Sequence, residues 1–583
     1  MIINIDEAIE SLSRVSMMKR RYGSPIRWVG RAWAGMRNWR RKRHDDLDYI
    51  VITLAGTIPA LPEARSWWER RLFGQAPLTL WEIDQAFRQI AADSRPKGVI
   101  VMLRDPALSL ADVQSVRGMI ARLRAAGKRA IAYAQNYDLG SYLIASACDE
   151  ILMQPGGDVA TLGIFQQTVF LKNALDAVGV ALDVIAITPY KGAYDPFSRD
   201  SLSPETREQQ EWLLDSRYRM IVRDLARSRG WDEARVTDMI DHAPHLDTIA
   251  LERGYIDGLL YQEAFPAHLD SQHLIEWDDA RRKLIRPYHP HETQKHIAIL
   301  PITGLMLPGE SAAAPFDVPI PLPFIGGQTA GDITIVQQVR ALMKEERVGA
   351  VVLFIDSGGG AAVAADAMTS ALDQLARHVP VVAYMNGVAA SGGYMVACPA
   401  RWIVAQPGTI TGSIGVITAK PITGGLEEKL LFKTVSFLRG ANADLYSSST
   451  PFTEPQRAQI RAAIEHNYRQ FIERVAVSRD MTPESVDAIG GGRVWTGEQA
   501  IEHALIDELG DLRAAIDKAR ALAGLPERTR IVIDTPRKDE YLPPMAARAA
   551  DPAAAVRALL RSARGLFDGR PLTLLPFDER GHW

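Results

Sequence analysis

The chain has 583 residues, with 67 Lys and Arg against 70 Asp and Glu and a formal net charge of −3, a balance that argues against a generic nucleic-acid binder. That length allows several domains with sizeable cores, and 47% apolar with 23% charged residues is ordinary for a globular protein. The two cysteines, Cys148 and Cys398, supply neither a disulfide framework nor a metal-ligand spacing; they read as small buried apolar residues.

Residues 1–47 are a separate piece. Eleven Lys and Arg and no acidic residue lie between Arg14 and Arg43. Ser24-Pro25 predicts a helix start, with serine as N-cap and proline at the first helical position. Ile26, Val29, Trp33 and Met36 share one side of that helix, and Arg27, Arg31 and Arg37 lie on the remaining arc. Gly30 and Gly35 weaken it, and Arg40 and Arg43 return to the apolar side. Such a segment would make peripheral contact with an anionic membrane through residues 14–43; the other reading is a helix packed on the protein, or a basic arm without a partner. No run of about 20 apolar residues marks a membrane-spanning anchor. No apolar stretch ahead of a small-residue cleavage site marks a secretory signal. The expected location is membrane-peripheral on an unassigned side, the cytoplasm included.

Residues 48–265 read as a first α/β domain. Tyr49–Leu54, Val99–Leu103 and Arg129–Tyr133 predict strands, and Leu110–Ala126 predicts a helix. Strands alternating with helices imply parallel βαβ units. Thr188–Phe197 is a Gly- and Pro-punctuated aromatic loop around one lysine, Lys191. A lone loop lysine is ordinarily solvated. Ser203-Pro204 opens a long helix reaching about Arg227.

Residues 266–295 are polar and read as a linker. His289, His291 and His296 are closely spaced, yet no Cys or carboxylate pattern completes a metal site. Residues 296–525 read as a second α/β domain. A strand at His296–Ile302 is followed by an apolar, Pro-rich loop over Leu305–Gly331 and a helix near Thr334–Glu345. Such a loop would contact membrane, substrate or a sister subunit, or only pack. The strand Val351–Asp356 then ends in Ser357-Gly358-Gly359-Gly360. A strand from Val381 to Met385 leads into the turn Ala389-Ala390-Ser391-Gly392-Gly393-Tyr394, and a helix starts at Gly392. A closing helix runs from Gly510 to about Ala523. Residues 526–583 form a tail with helical spacing over Asp551–Leu566 and no visible chemistry.

The two domains are copies. Tyr142-Leu143-Ile144-Ala145 matches Tyr394-Met395-Val396-Ala397, Gln154-Pro155-Gly156 matches Gln406-Pro407-Gly408, and Leu162-Gly163-Ile164 matches Ile414-Gly415-Val416, each 252 positions apart. Ile256-Asp257 and Ile506-Asp507 are 250 apart. The chain is thus a tandem duplication of a unit of roughly 220–230 residues, far longer than a solenoid repeat. The copies differ at three places. Ser391 corresponds to Leu139, the glycine run to Arg104-Asp105-Pro106, and the Lys191 loop to Arg439–Asp444, which has no lysine. One copy carries a candidate base and the other a candidate nucleophile.

A serine at a strand-to-helix turn can present its hydroxyl beside free backbone N–H groups, which stabilise a developing oxyanion. Serine is a weak nucleophile and needs a base. Lysine serves when desolvation disfavours its ammonium form, and Tyr190, Tyr194 and Phe197 could supply apolar surroundings. The expected dyad is Ser391 with Lys191, and the expected oxyanion donors are Gly359 or Gly360 together with Gly392. Taken singly, Ser391 would be a serine in a tight Gly/Ala turn, and the glycine run an ordinary turn.

Together with Thr411-Gly412-Ser413-Ile414-Gly415 and Val494-Trp495-Thr496-Gly497, these motifs resemble the signal peptide peptidase A (protease IV) family in its long, duplicated form, over residues 48–525 or so. The resemblance implies a crotonase/Clp-like α/β superhelical unit in tandem and a Ser/Lys serine peptidase. It also implies extended apolar peptide substrates such as released signal peptides, and a dome-like homotetramer. Ser413 would orient the lysine; no cofactor or metal is called for. The family usually has Asp-Ser-Pro-Gly-Gly where this chain has Asp356-Ser357-Gly358-Gly359-Gly360, and losing the proline removes a φ constraint from the oxyanion loop. Rival readings are a crotonase-like enzyme acting on acyl-CoA, a non-catalytic membrane scaffold, and an ATP-dependent protease subunit; no GxxxxGK[ST] supports the last.

Overall fold

The computed structural model describes residues 35–43, 46–62, 77–286, 295–312, 328–534 and the backbone of 572–574. The Ser24-Pro25 helix start lies outside the described residues. Of the basic segment, residues 35–41 are helical, and Asn38 Nδ2 donates to the Arg286 carbonyl at 2.7 Å. This end of the segment therefore packs on the protein.

The apolar runs of the first unit form parallel strands buried on both faces, as expected of a layered α/β fold. Its main strands are β1 (Tyr49–Thr57), β2 (Gly98–Ala107), β3 (Arg129–Ala134), β4 (Glu150–Met153) and β5 (Ala181–Ala186). Its main helices are α1 (Leu80–Ala92), α2 (Leu110–Ala125), α3 (Leu139–Ser146) and α4 (Pro204–Arg229). The first sheet runs 274–276, β1, β2, β3, β4, 258–259, every neighbouring pair parallel. Alternation along a strand sends neighbouring side chains to opposite faces. Ile50, Ile52, Val99 and Val101 accordingly cluster with Ile83 and Phe87 of α1 and Val116 and Ile120 of α2, while Tyr49, Ile100, Ile131 and Tyr133 cluster with Phe265 and Leu269.

The second unit repeats the plan. Its main strands are β6 (His296–Thr303), β7 (Val348–Ser357), β8 (Gly359–Ala361), β9 (Val381–Ala390), β10 (Ile410–Gly412), β11 (Ile417–Ile422) and β12 (Val494–Thr496). Its main helices are α5 (Asp332–Lys344), α6 (Ala362–Ala376), α7 (Gly392–Met395), α8 (Glu454–Arg479) and α9 (Leu512–Leu522). The sheet order is β12, β10, β9, β7, β6, 531–533, with β12 the antiparallel member. Ile299, Val352 and Phe354 meet Ile516 and Ala519 of α9, and Leu300, Leu353 and Ile355 meet Val339 of α5 and Met368 of α6. The duplicated α/β architecture read from the sequence is the one observed.

A third sheet joins the two units: 329–331, 305–307, β8, β13 (Leu572–Leu574), β11, β5. Here β5 of the first unit pairs antiparallel with β11 of the second, from Ile417 opposite Ala186 to Ile422 opposite Ala181. The chain's last described strand, β13, pairs antiparallel with Gly359–Ala361 and touches Ile417. Of the Pro-rich loop, Leu305–Leu307 and Thr329–Gly331 pair in parallel, and residues 313–327 lie outside the described residues.

Two stretches differ from the sequence reading. Much of 266–295, read as a linker, is ordered: Leu274–Glu276 extends the first sheet beside β1 and is followed by the helix Trp277–Lys283. In the stretch read as a tail, Ile531–Ile533 extends the second sheet beside β6. Each unit thus closes on a three-residue parallel edge strand, too short to leave a periodic signal. Residues 551–566, expected to be helical, lie outside the described residues.

Candidate active site

Strand β9 ends at Ala390, and Ser391 follows with φ 58° and ψ −114°. This conformation is costly for a residue with a Cβ, on the order of 1–3 kcal/mol, and such strain clusters at functional sites. Neighbouring contacts hold it in place. The Ser391 N–H donates to the Gly412 carbonyl at 2.8 Å, and the Ser391 carbonyl accepts from the Met395 N–H at 2.9 Å. A Cβ at Gly393 would stand 2.3 Å from the Ser357 carbonyl oxygen, so only glycine lets α7 begin this close to the end of β7.

The lysine arrives from the other unit. Lys191 Nζ lies 2.7 Å from Ser391 Oγ, 2.8 Å from Ser413 Oγ and 2.8 Å from the Ser413 carbonyl oxygen. Lys191, Ser391 and Ser413 are all fully buried. Burial alone holds the Lys191 ammonium well below the usual lysine range, because removing a charge from water without a counter-charge favours the neutral form. Ser413 has φ 52°, and its N–H donates to the Arg493 carbonyl at 2.6 Å.

The glycine run is shaped by close approach. Gly359 and Gly360 have φ 99° and 159°, and a Cβ at Gly360 would meet the Met306 carbonyl oxygen at 2.0 Å. Gly358 is not among the positive-φ residues. The Gly359 N–H donates to Ser357 Oγ at 3.1 Å, and that hydroxyl donates to the Gly304 carbonyl at 2.6 Å. Of the three expected oxyanion donors, Gly359 is thus already engaged and Gly360 sits within the β8 pairings. The Gly392 N–H, at the start of α7, has no partner among the described residues.

The aromatic company of the lysine divides. Tyr194 and Phe197 are buried beneath the loop. Tyr190 turns outward instead: its hydroxyl donates to Glu208 Oε2 at 2.8 Å, and the Arg493 guanidinium lies 4.1 Å from its ring centre. Tyr190 therefore belongs to the contact between units. In that contact Trp212 of α4 stacks on Trp495 at 5.1 Å and 10°, and donates through Nε1 to the Val494 carbonyl at 2.9 Å. Gln209 Oε1 accepts from the Val494 N–H at 2.9 Å. A stacked pair of this kind is worth about 0.5–1.5 kcal/mol beyond its buried area.

Sequence reading missed two parts of the site. The first is Gly490-Gly491-Gly492, which carries the lysine loop. A Cβ at Gly492 would stand 2.8 Å from the Lys191 backbone nitrogen, and the Thr188 hydroxyl donates to the Gly491 carbonyl. Three consecutive glycines were the available signal. The second is a buried carboxylate pair behind the oxyanion loop. Asp356, at the end of β7, accepts from Asn386 Nδ2 and the Val388 N–H, each at 3.1 Å. Burial first, and the nearby Asp112 second, push its carboxyl up to about 6. Nothing in the spacing of Asp112 and Asp356 announces that pair.

With this geometry in hand, the comparisons are decisive about family. The model of Peptidase family S49 matches twice, at residues 122–273 and 373–526. Protease 4 of Haemophilus influenzae is 27% identical over 78% of this chain and 74% of its own length. The chloroplastic serine protease SPPA of Arabidopsis thaliana is 28% identical over 92% and 77%. A solved structure of a membrane-bound stomatin-specific protease mutant is 14% identical, with a TM-score of 0.27 over 42% of this chain and 100% of that one. The chain belongs to Peptidase family S49, as a serine peptidase with the family domain in two copies.

Proposed function

We propose that this protein is an endopeptidase whose nucleophile is Ser391 and whose general base is Lys191, acting on extended apolar peptides such as released signal peptides. The observation that carries the reading is the 2.7 Å contact between the buried Lys191 Nζ and Ser391 Oγ. A neutral amine has two N–H donors and one lone pair. With both N–H groups directed at the Ser413 oxygens, the lone pair faces the Ser391 hydroxyl. Lys191 takes the proton as Ser391 Oγ attacks the scissile carbonyl and returns it to the leaving amine. Water admitted after that amine leaves then attacks the acyl-enzyme, Lys191 taking its proton and handing it to Ser391 Oγ as the acid product departs. The Gly392 N–H, which has no partner among the described residues, receives the oxyanion. A Ser/Lys pair is an established variant of the triad logic and needs no histidine. The apolar preference rests on family resemblance, as do a tetrameric assembly and peripheral membrane contact through residues 14–43. Among the described residues no helix is long and apolar enough to cross a membrane.

The test is hydrolysis of a fluorogenic apolar peptide by wild type, Ser391→Ala and Lys191→Ala, each checked for retained fold. Loss of turnover in both variants is expected. Full activity of Lys191→Ala would remove the lysine from its role, and an inactive wild type over a broad peptide panel would favour a scaffold of the same fold.

A further inference from the structure

Among the described residues nothing charged holds Lys191 in place. Its amine meets three neutral oxygens, and burial alone depresses its pKa. The charged groups on the elements packed about its loop are engaged elsewhere. Asp195 accepts from the Thr206 hydroxyl at 3.0 Å, Glu208 accepts from Tyr190, and Arg493 lies over the Tyr190 ring. Beyond Gly490–Gly492, Asp487 accepts from the Tyr468 hydroxyl. Water could offer a neutral amine hydrogen bonds as good as those it makes here. The backbone of the lysine loop therefore has to be fixed from outside.

One face of α4 supplies that hold. Gln209, Trp212 and Ser216, spaced three and four apart, share a side of the helix and all reach β12 of the other unit. Trp212 touches both halves of the site. On one side its ring lies 6.0 Å from that of Tyr190, the residue before Lys191. On the other it stacks on Trp495, whose ring ends 4.2 Å from His503, and donates to the Val494 carbonyl. Val494 pairs with Gly412, and the Gly412 carbonyl takes the Ser391 N–H. Trp495 packs so closely on Gly412 that a Cβ there would stand 2.9 Å from its ring. The Arg493 carbonyl, one residue before Val494, takes the Ser413 N–H. The backbones of all three site residues thus converge on one indole. Lys191 is fully buried, whereas Tyr190, Trp212 and Trp495 are half-buried, so the aromatic column stands at the boundary with solvent.

We propose that Trp212 is a positioning residue, which holds the Lys191 amine against Ser391 and Ser413 and keeps water from it. Without the indole the Tyr190 turn lifts from β12, the amine becomes hydrated, and it keeps its proton to higher pH. The consequence for turnover rests on the Ser391–Lys191 reading; the placement of the amine does not.

The test compares the full chain as wild type, Trp212→Ala, Trp212→Phe and Phe87→Leu, the last a change in the first unit's own core. One readout is the pH profile of kcat/KM on the fluorogenic peptide. The other is labelling of Lys191 by fluorodinitrobenzene across pH, read by mass spectrometry in the Ser391→Ala background, which follows the amine without any turnover. Trp212→Ala is expected to lower kcat at pH 7 by about 100-fold with KM within about twofold. Its acidic limb should move up by about one pH unit or more, and Lys191, protected in wild type, should become labelled. Trp212→Phe keeps a ring in the stack and should move both readouts the same way by less; it carries the test if the alanine variant does not fold. Phe87→Leu should lower the melting temperature and leave both readouts at wild type. Folded Trp212 variants with wild-type profile and labelling overturn the proposal, and so does a Phe87→Leu that moves both readouts as far. Labelling that moves while the acidic limb stays would uphold the placement and sink the lysine's role as base instead.

Discussion

In the first unit the chain leaves β3 and enters α3 through Asp138, whose carboxylate accepts from the Ser141 N–H at 2.7 Å. In the second it leaves β9 and enters α7 through Ser391, with no side-chain cap at all. A capping carboxylate satisfies the first N–H groups of a helix; omitting it leaves the Gly392 N–H open beside a strained serine. The same strand-turn-helix is thus finished for stability in one copy and left unfinished in the other. Lys191 shows the inverse division. The loop that carries it belongs to the first unit, yet every oxygen around its nitrogen comes from the second. In the proposed dyad, each copy supplies one of the two reacting side chains.

The sharpest way to break this comparison is transplantation. Ser391→Ala and Lys191→Ala should each lower kcat/KM by about 10⁴-fold or more, with the double variant little worse than either single one. Adding Leu139→Ser to Ser391→Ala should restore nothing, because Arg439–Asp444, the second unit's match to the Lys191 loop, has no lysine to offer. Recovered hydrolysis in that variant would show the copies to be interchangeable after all. Next in size is Ser413→Ala, which removes one of two oxygens that aim the amine. The expected loss is about 10–100-fold in kcat with KM unchanged, the range for losing one hydrogen bond at a buried polar group.

Lys191→Met separates stability from turnover. The folded-state pKa of Lys191 is depressed, so below the unfolded value near 10.4 the unfolded chain holds a proton that the folded chain releases. That linkage destabilises the fold at neutral pH and vanishes as pH rises toward 10. The methionine variant should be inactive and more stable than wild type at pH 7, with a gain that shrinks in alkaline buffer. Urea denaturation at several pH values measures it. In the wild type kcat/KM should rise with pH as Lys191 loses its proton. The smallest effect belongs to Gly358→Pro. The first unit has Pro106 at this place, and the positive φ of the loop begins only at Gly359. Proline should be accommodated, with activity retained and a gain of about 0.4–1 kcal/mol from a less disordered unfolded chain. A fall in activity would mean that the altered loop is tuned to glycine.

Much of this was legible in residues alone. Long apolar strands such as Val348–Ser357 and capped helices such as Ser203–Arg229 announce themselves, because burial on two faces and N-cap chemistry both leave local marks. The constant offset exposed the duplication, and divergence at matched positions pointed to Ser391 and Lys191. What stayed hidden depends on distance in space. The edge strands 274–276 and 531–533 are too brief to carry a pattern. Tyr190 was read as desolvating the lysine because sequence does not reveal that Arg493 and Trp212 would claim its ring. The Asp112–Asp356 pair unites carboxylates from different units, and only folding makes them neighbours.

Lys191 and Ser391 sit 200 residues apart on one polypeptide, and that connection has a kinetic consequence. A reactive pair contributed by separate molecules is only as complete as their association, so its specific activity declines on dilution. In the proposed dyad the partners are tethered by folded chain, their encounter is intramolecular, and its effective concentration is set by the fold rather than by the amount of protein present. Turnover per chain should therefore hold level across a dilution series, even where assembly into larger particles is lost.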